Sequence, residues 1–375
     1  MKLTGLRVID LSVFLPGPYL TLALADHGAE VIKIEAPGGD PSRSIGLADG
    51  PTTVLFHNLN RGKKSVVLDL KTSEGRERLL ELSDNADIFV ESFRPGVVER
   101  LGVGYSHVSA RNPGIVYCSV TAFGQTGLYR ARPAHDLALQ AMSGVLSMNV
   151  GPDGAPAMPA IPSADILAGL QGLAGVLMAL WRREKTGVGD YIDISMQDAM
   201  LAACPNILGP TFAENRQPVA ANERTTGGSA FYQLYETRDG RHIALAGQEM
   251  KFVRTLLDAL GRPELADLCA RGPGPHQQPV TQFLRGVFRE RTFEEWIAWL
   301  TPLDVCFGPL HTLPEAIAEP NVQARGTVVT DESGRRHLAT AIRFQREPAR
   351  PSWREPNLGE HTEDVLRGAP SRKDR

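Results

Sequence analysis

The chain has 375 residues, of which 42% are hydrophobic and 22% are charged, and its formal net charge is −3. This length exceeds what one small core needs and predicts two domains, or one domain with a lobe. The charge balance excludes a broad basic surface, so we expect neither nucleic acid nor a membrane as a partner. A phosphate-bearing ligand must therefore be held by local arginines, lysines and backbone amides.

The cysteines and the most apolar stretch indicate a soluble cytoplasmic protein. Cys118, Cys204, Cys269 and Cys306 lie far apart and form no Cys-x-x-Cys pair, so we expect buried free thiols in a reducing cytoplasm and no metal site. The stretch from Ile166 to Trp181 carries a glycine at every third position near its centre and is followed by two arginines. It predicts a helix packed closely on another backbone rather than a membrane span.

Residues 1–121 alternate between strand and helix patterns. Strands are predicted at Leu6–Leu11, Glu30–Glu35, Ser65–Leu70, Ile88–Glu91 and Ile115–Thr121. Helices are predicted at Tyr19–Asp26, which follows Pro16-Gly17-Pro18, and at Ser73–Asn85 and Val97–Leu101. Strand–helix–strand units form parallel pairs through right-handed crossovers, so the pattern predicts an α/β fold with an open parallel sheet.

The second half of the chain predicts a separate, smaller domain. Helices are predicted at Asp136–Val145 and Asp165–Lys185, followed by a strand at Tyr191–Ser195. Residues 201–229 are assigned to a linker, in which Asn215–Ser229 is polar. A hairpin of strands Tyr232–Thr237 and His242–Ala246 is predicted after it, with helices Lys251–Leu260 and Phe293–Leu300. We therefore assign residues 1–200 to a large domain and residues 230–325 to a small α+β domain. A further helix is predicted near Gly359–Arg367.

Five polar residues of the large domain are candidate ligands for phosphate. Arg43, Asn60, Arg61, Arg94 and Arg100 follow predicted strands or begin predicted helices, and such positions line the carboxyl edge of a parallel sheet. Arginines there suit a pyrophosphate or a 3′-phosphate, although any one of them alone is more typical of solvated surface charge. The chain has no Gly-x-Gly-x-x-Gly or Gly-Lys-Ser/Thr loop, which disfavours dinucleotides and nucleoside triphosphates.

Three further residues are candidates for catalysis, and each also has a structural interpretation. His135 precedes Asp136 at a loop-to-helix junction, and Asp165 lies at the start of the glycine-rich helix. Glu249 lies at a strand-to-helix turn. By spacing alone, helix capping is more typical of Asp136 and Asp165 than catalysis and also explains Glu249, and His135 by itself is typical of a packed loop histidine.

Four motifs point to a known family. They are Leu3-Thr-Gly-Leu-Arg-Val-Ile-Asp-Leu-Ser, Asn60-Arg-Gly-Lys-Lys-Ser-Val-Val-Leu-Asp-Leu-Lys, Glu91-Ser-Phe-Arg-Pro-Gly and Lys185-Thr-Gly-Val-Gly-Asp-Tyr-Ile-Asp-Ile. In this order they resemble the class III coenzyme A transferase superfamily (CaiB/BaiF type), which includes formyl-CoA transferase, carnitine CoA-transferase and α-methylacyl-CoA racemase. The resemblance covers nearly the whole chain.

The resemblance implies more than the pattern alone. Members are interlaced homodimers whose Rossmann-like large domain is built from both ends of the chain, so residues 326–375 are expected to return to it. The active site is expected between the large domain of one chain and the small domain of the other. Coenzyme A enters as part of the acyl-CoA substrate, and no prosthetic group is expected.

Two reactions are open within the superfamily, and Asp165 matches the catalytic aspartate of both. In the transferase branch that aspartate attacks the thioester, forms an acyl-aspartyl anhydride and passes CoA to a second carboxylate. In the racemase branch an aspartate and a histidine, matched here by Asp165 and His135, flank the α-carbon and exchange its proton. A glutamate matched by Glu249 supports the histidine there.

The matches favour the racemase branch, closest to α-methylacyl-CoA racemase. His135-Asp136 matches the racemase Gly-His-Asp motif with Ala134 in place of glycine, and a nucleophilic mechanism needs no added histidine. Amides at the start of the Asp165 helix would hold the enolate oxygen. The stretch from Gly151 to Pro156 and the pair Gly227-Gly228 look like transferases instead. A CoA-thioester-binding protein without catalysis is the third alternative.

Overall fold

A computed structural model describes residues 1–151 and 153–368. Pro152, in the transferase-like stretch, and residues 369–375, in the predicted C-terminal segment, lie outside the described residues. The strands are β1 Arg7–Leu11, β2 Glu30–Glu35, β3 Ala48–Asp49, β4 Thr52–Thr53, β5 Lys64–Val67, β6 Ile88–Glu91, β7 Val116–Thr121, β8 Asp190–Ser195, β9 Gln233–Glu236, β10 His242–Leu245, β11 Phe307–Pro309, β12 Val328–Thr330 and β13 Arg336–Leu338.

The α-helices between these strands are mostly short. They are α1 Pro16–Asp26, α2 Val54–Asn60, α3 Ser73–Ser83, α4 Val97–Leu101, α5 Tyr105–Arg111, α6 Asp136–Met142, α7 Ser163–Thr186, α8 Met196–Ala202, α9 Gly209–Glu214, α10 Met250–Ala259, α11 Ala266–Cys269, α12 Gln278–Phe288, α13 Phe293–Leu300, α14 Leu313–Ala318, α15 Pro320–Ala324 and α16 Thr362–Arg367.

The predicted α/β fold with an open parallel sheet is confirmed. Six strands pair in the order β5-β2-β1-β6-β7-β8, and every pair is parallel. In register, Val8 of β1 lies between Val31 of β2 and Ile88 of β6. The chain winds outward in one direction from β1 to β5 and in the other from β6 to β8. The strand order therefore reverses between β1 and β6, which is where open α/β sheets bind ligands.

Helix α7 packs closely against helix α1 through its glycines. A Cβ on Gly169 would lie 2.8 Å from the carbonyl oxygen of Pro16 in α1, and one on Gly172 would lie 2.6 Å from a methyl group of Leu20. These distances require residues without a side chain, as the glycine spacing predicted. Among the described residues, only α7 is long and apolar enough to cross a membrane by length and composition, a test that core helices of soluble proteins also pass.

The described residues divide into two units. Unit 1 comprises Met1–Ser143, Ala160–Ala203 and the segment that begins at Asn321, and unit 2 comprises Gly144–Pro159 and Cys204–Pro320. The predicted boundaries differ, because they placed residues 144–159 in the large domain and residues 204–229 in a linker.

Contacts within unit 2 explain this difference. Val150 and Pro156 form an antiparallel bridge that folds residues 144–159 into a compact loop. Gln217, from the polar stretch predicted as a linker, donates to the hydroxyl of Ser147 at 3.2 Å. Such pairings between distant parts of the chain leave no pattern in either segment alone.

The C-terminal segment is bound to unit 1 by buried polar contacts. Nδ1 of His57 in α2 lies 2.7 Å from a carboxylate oxygen of Glu355, and its Nε2 lies 2.9 Å from Nδ1 of His337 in β13. Both histidines are buried, at 2% and 3% exposure. The amide of Gly62 donates to the carbonyl of Arg354 at 2.9 Å. The segment is therefore a structural part of unit 1.

Unit 2 has its own sheet and core. Strands β11, β10 and β9 form an antiparallel sheet in that order, and the β9–β10 hairpin predicted from the sequence is confirmed. Tyr235, Phe288 and Trp296 are at most 1% exposed and stack within this core. The unit therefore buries enough apolar surface to form a domain of its own.

The cysteine prediction is only partly correct. All four are outside disulfide bonds in the described part of the chain, but only Cys118 and Cys204 are buried, Cys269 is half-buried and Cys306 is exposed. Cys306 lies in the segment before β11, a strand that the sequence patterns did not predict. Among the described residues, no group of three or more His, Cys, Asp or Glu side chains is arranged to hold a metal ion.

Candidate active site

A cavity of about 380 Å³ lies in unit 1 at the reversal of strand order. Its walls come from the segments that follow β1 and β6, the end of β7, the loop before α6, the start of α7 and the start of α8. The lining residues are Val13, Phe14, Pro16, Ser92, Phe93, Arg94, Pro95, Val120, Thr121, Ala122, Arg130, Arg132, Pro133, Ala134, His135, Asp165 and Met196. The cavity therefore occupies the carboxyl edge of the parallel sheet, as expected of a ligand site in this fold.

Asp165 lies in the first turn of α7 and lines this cavity. Its carboxyl group makes no hydrogen bond to any residue in the described part of the chain. Burial, together with the nearby charge of Asp136, raises the pKa of Asp165 to about 7. A carboxyl group of that pKa is protonated and ionised in comparable amounts near neutral pH, so it can both accept and donate a proton.

Asp136 caps a helix, but not the helix that the sequence predicted. It is the first residue of α6, whose cap position is occupied by His135. Its carboxylate accepts the backbone N–H of Ala164 at 2.7 Å and that of Asp165 at 3.3 Å, and it accepts a hydrogen bond from Gln140 at 2.6 Å. Asp136 thus caps α7 across 28 residues of sequence.

This capping corrects the expected role of the α7 amides. The amides at the start of the Asp165 helix were expected to hold the enolate oxygen. The N–H groups of Ala164 and Asp165 already donate to Asp136. They are therefore not free for a ligand, and the cationic side chains of the cavity are the available alternative.

His135 lines the same cavity as Asp165. His135 is exposed, and its side chain makes no hydrogen bond within the described ranges of the chain. The ring of Phe14 contacts it edge to face, with centroids 6.3 Å apart and an interplanar angle of 87°. The structure therefore places an imidazole and a carboxyl group on the wall of one cavity.

Three of the five predicted phosphate ligands are engaged in internal contacts. Asn60 is fully buried, accepts from Lys63 at 3.0 Å and donates to the carbonyl of Phe56 at 3.1 Å. Arg61 is 5% exposed and pairs with Asp26 at 2.8 Å. The proposal that Asn60 and Arg61 contact phosphate is not supported, because tertiary packing directs both side chains inward.

Most N–H groups of the Arg43 guanidinium also donate to other residues of the protein. Its guanidinium donates twice to Glu35 at 2.7 Å and once to the carbonyl of Pro356 at 3.2 Å, and it stacks 3.9 Å above the ring of Phe56. Two of its five N–H groups remain for a ligand. Its role toward phosphate stays a prediction, with the guanidinium held in a fixed orientation.

Arg94 and Arg100 differ in position. Arg94 lines the cavity directly, and Arg100 lies in the last turn of α4. Both are exposed, and neither forms an ion pair within the described residues. Both remain available to bind an anionic ligand such as the phosphates of a CoA thioester.

Phe14, Arg130 and Arg132 were not predicted as site residues, yet all three line the cavity. Arg130 and Arg132 stand within five residues of His135, and this clustering of cations before a His-Asp pair is the signal that could have identified them. Together with Arg94 they bring three guanidinium groups to the lining of this cavity. The cavity is therefore suited to an anion or to a developing negative charge.

Glu249 belongs to unit 2. It occupies the cap position of α10, as its alternative interpretation predicted, but its side chain accepts no capping hydrogen bond. The residue is exposed. Its support of the catalytic histidine stays a prediction.

The sequence profile of CoA-transferase family III matches residues 3–362 of this chain. The chain belongs to CoA-transferase family III. The resemblance inferred from four motifs is thereby confirmed over the whole fold. In this family III protein the cavity, with His135 and Asp165 on its wall, lies within the matched region.

Individual relatives include both kinds of enzyme. The succinate–glutarate CoA-transferase of Agrobacterium fabrum is 33% identical, covering 97% of this family III chain and 94% of the relative. The α-methylacyl-CoA racemase of Homo sapiens is 32% identical, covering 98% of this chain and 94% of the relative. These identities do not separate a transferase from a racemase.

A solved structure supports the fold of this family III member. A CAIB/BAIF family protein from Brucella suis superposes with a TM-score of 0.84 at 32% identity, covering 98% of this chain and 99% of that one. The similarity extends to both units, because almost the full length of each chain is matched.

Proposed function

We propose that this protein is an acyl-CoA racemase or epimerase that removes and returns the α-proton of a 2-methylacyl-CoA thioester. The observation that carries the proposal is Asp165, a carboxyl group without a hydrogen-bond partner in the described residues and with a pKa of about 7, which lines the same cavity as His135. A proton-transfer group works best when its pKa is close to the operating pH.

The proposed mechanism uses one residue on each face of the α-carbon. In one direction ionised Asp165 accepts the α-proton, the electron pair moves onto the thioester oxygen, and protonated His135 delivers a proton to the opposite face. In the reverse direction neutral His135 accepts the proton and protonated Asp165 delivers one. Each turnover therefore inverts the centre and exchanges the protonation states of the two residues.

The enolate intermediate requires positive charge nearby, because the α-proton of a thioester is a very weak acid. Arg94, Arg130 and Arg132 line the cavity and supply that charge. The residues that follow β1 and β6 also line this cavity. We assign the guanidinium groups to the enolate oxygen or to the CoA phosphates, in place of the occupied α7 amides.

Deuterium exchange tests the proposal. The wild-type protein is incubated in deuterium oxide with a pure 2-methylacyl-CoA epimer, and deuterium incorporation and inversion are both measured. We expect exchange with inversion in the wild type and a loss of inversion of about a hundredfold or more in Asp165→Asn and His135→Gln. Asp304→Asn, at a side chain that is 88% exposed in unit 2, is the matched control. Absence of exchange with every 2-methylacyl-CoA offered would refute the proposal.

A second candidate is an acyl-CoA:carboxylate CoA-transferase, which the succinate–glutarate relative favours. There Asp165 attacks the thioester carbonyl, the C–S bond breaks, and CoA leaves as its thiolate while an acyl-aspartyl anhydride forms. The CoA thiolate then attacks the aspartyl carbonyl of the anhydride, which releases the donor carboxylate and leaves an aspartyl-CoA thioester. The acceptor carboxylate attacks this thioester and displaces CoA, and the CoA thiolate attacks the acceptor carbonyl of the new anhydride, which forms the acceptor thioester and frees Asp165. Hydroxylamine trapping with mass spectrometry tests this reaction. Modified Asp165 together with CoA transfer, without α-proton exchange, would favour the transferase over the racemase.

We further propose that the protein acts as an interlaced homodimer in the cytoplasm, with acyl-CoA as substrate and no prosthetic group. Helix α7 supports the dimer, since Leu170, Leu177, Met178 and Trp181 are 45%, 40%, 67% and 68% exposed along one of its faces. Trp181→Lys should shift the sedimentation coefficient from that of a dimer toward that of a monomer. A wild-type monomer at micromolar concentration would contradict the dimer.

A further inference from the structure

Phe14 has an unfavourable backbone conformation. Its φ is 62°, and the only other non-glycine residue with positive φ in the described part of the chain is Asn215. Asparagine adopts this region with little cost, whereas a bulky aromatic residue does so rarely. Residues held in such conformations cluster at functional sites, where the surrounding structure maintains them.

Hydrogen bonds of Ser12 and Val13 fix the backbone before Phe14. The backbone N–H and hydroxyl of Ser12 donate to Asp10 at 3.0 and 2.5 Å, and buried Lys33 donates to the carbonyl of Ser12 at 3.0 Å. The N–H of Val13 donates to the hydroxyl of Ser92 at 3.0 Å. The chain is therefore anchored immediately before Phe14.

The start of α1 restrains the chain after Phe14. The N–H of Tyr19 donates to the carbonyl of Leu15 at 2.8 Å, which closes the first turn of α1. Gly17 lies against Ser12 so closely that a Cβ there would stand 2.2 Å from the Ser12 Cβ. The turn between β1 and α1 is thus closed on itself, and Phe14 is at its exposed tip.

The side chain held in this way meets His135. The ring centroids are 6.3 Å apart at 87°, within the range of edge-to-face aromatic pairs, and both residues line the cavity with Asp165. No hydrogen bond from the described residues orients the His135 imidazole. Among the described residues, the ring of Phe14 is the aromatic contact of this imidazole.

We propose that Phe14 is a positioning residue that orients the His135 imidazole toward the α-carbon of the substrate. The hydrogen bonds of the turn maintain the unfavourable backbone conformation of Phe14. The ring of Phe14 in turn holds the His135 imidazole in one orientation before substrate binds. This inference rests on the proposed racemase function, because a transferase using Asp165 alone has no need of an oriented histidine.

Two substitutions separate positioning from packing. Phe14→Gly removes the ring and also relieves the positive φ, whereas Phe14→Tyr keeps the ring. We expect Phe14→Gly to retain the wild-type melting temperature or exceed it, while kcat for inversion falls about tenfold or more and KM changes by less than about threefold. Phe14→Tyr should retain inversion. Leu313→Gly, at an 82% exposed leucine of unit 2, controls for loss of a surface apolar side chain.

A second readout isolates the histidine. When His135 is misplaced, ionised Asp165 still removes the α-proton and returns deuterium to the same face, so exchange without inversion should rise relative to inversion in Phe14→Gly. Unchanged inversion, or a loss of activity matched by a loss of thermal stability, would refute the positioning role. A rise in KM alone would instead make Phe14 a wall of the substrate pocket. Absence of exchange in the wild type would refute the racemase function itself and the positioning role with it.

Discussion

The carboxylate of Asp136 accepts the backbone N–H of Ala164 at 2.7 Å, which joins the start of α6 to the start of α7. This bond places a negative charge beside Asp165, whose amide donates to the same oxygen at 3.3 Å. Two functions follow from one side chain. Asp136 completes the N-terminus of α7, and its charge contributes to the raised pKa of Asp165.

Removing the charge of Asp136 should lower the pKa of Asp165. Asp136→Asn keeps a carbonyl oxygen that accepts the Ala164 N–H, so the helix start is retained while the repulsion disappears. We expect the pH dependence of kcat/KM for deuterium exchange to shift to lower pH along the limb that reports Asp165. Asp190→Asn, at an exposed residue of β8, is the control. A limb that stays in place would show that burial alone raises this pKa.

The stability of the protein should depend on pH through Asp165. The pKa of this group is about 7 in the folded protein and 3.8 in the reference state, so its favourable contribution is complete below about pH 4 and is lost as the pH rises through 7. Asp165→Asn should therefore match wild type near pH 4 and exceed its unfolding free energy by roughly 2–4 kcal/mol at pH 8. Urea unfolding at pH 5 and pH 8 measures the difference, which must be larger at pH 8.

Breaking the buried ion pair between Lys63 and Asp10 should lower the free energy of unfolding substantially. Both side chains are inaccessible to solvent and 3.0 Å apart, and Asp10 also holds Ser12. Lys63→Met leaves the carboxylate without this cation, so we expect a loss of roughly 3–5 kcal/mol in unfolding free energy.

A double variant at the same pair and a variant at a surface ion pair serve as controls for this prediction. Asp10→Asn combined with Lys63→Met should recover part of the loss, because no uncompensated charge remains at this pair. Arg78→Ala, which removes an exposed pair with Glu81, should cost less than about 1 kcal/mol. Equal losses for Lys63→Met and Arg78→Ala in denaturant titrations would contradict the importance of the buried pair.

Adding a methyl group at Gly169 should disturb both packing and activity. The new Cβ would meet the carbonyl oxygen of Pro16 at 2.8 Å, and this backbone atom cannot move without shifting the turn that carries Phe14. We expect Gly169→Ala to reduce the unfolding free energy by roughly 1–3 kcal/mol and to lower the rate of deuterium exchange. The matched control is Gly286→Ala in α12, where no atom lies within 4 Å of the added Cβ. It should stabilise the protein by roughly 0.5–1 kcal/mol.

Local patterns predicted the elements whose boundaries carry strong signals. Strands β2 and β6 and helices α4 and α13 begin and end at the predicted residues. Helix α4 lies between Gly96 and Gly102, and α13 follows the capping residue Thr292. Helices α2, α5 and α12 were not predicted. Helix α2 ends at Asn60, which was predicted as a phosphate ligand.

The candidate site was predicted in part. His135 and Asp165 were identified by resemblance to family motifs, and the cavity contains both. Arg130 and Arg132 were not assigned, although they precede His135 closely. Phe14 carries no local signal, because its conformation results from hydrogen bonds to side chains such as Asp10 and Ser92.

By itself the sequence determined the α/β alternation, the parallel sheet, the second domain with its hairpin and the family, since hydrophobic periodicity, turn residues and motifs are all local. Only the tertiary structure decided that Asn60 and Arg61 point inward and that Asp136 caps α7 rather than its own helix. The physical reason is that burial, capping and pKa depend on groups that folding brings together from distant positions. Asp136 and Ala164 are 28 residues apart, and no pattern within either segment encodes their contact.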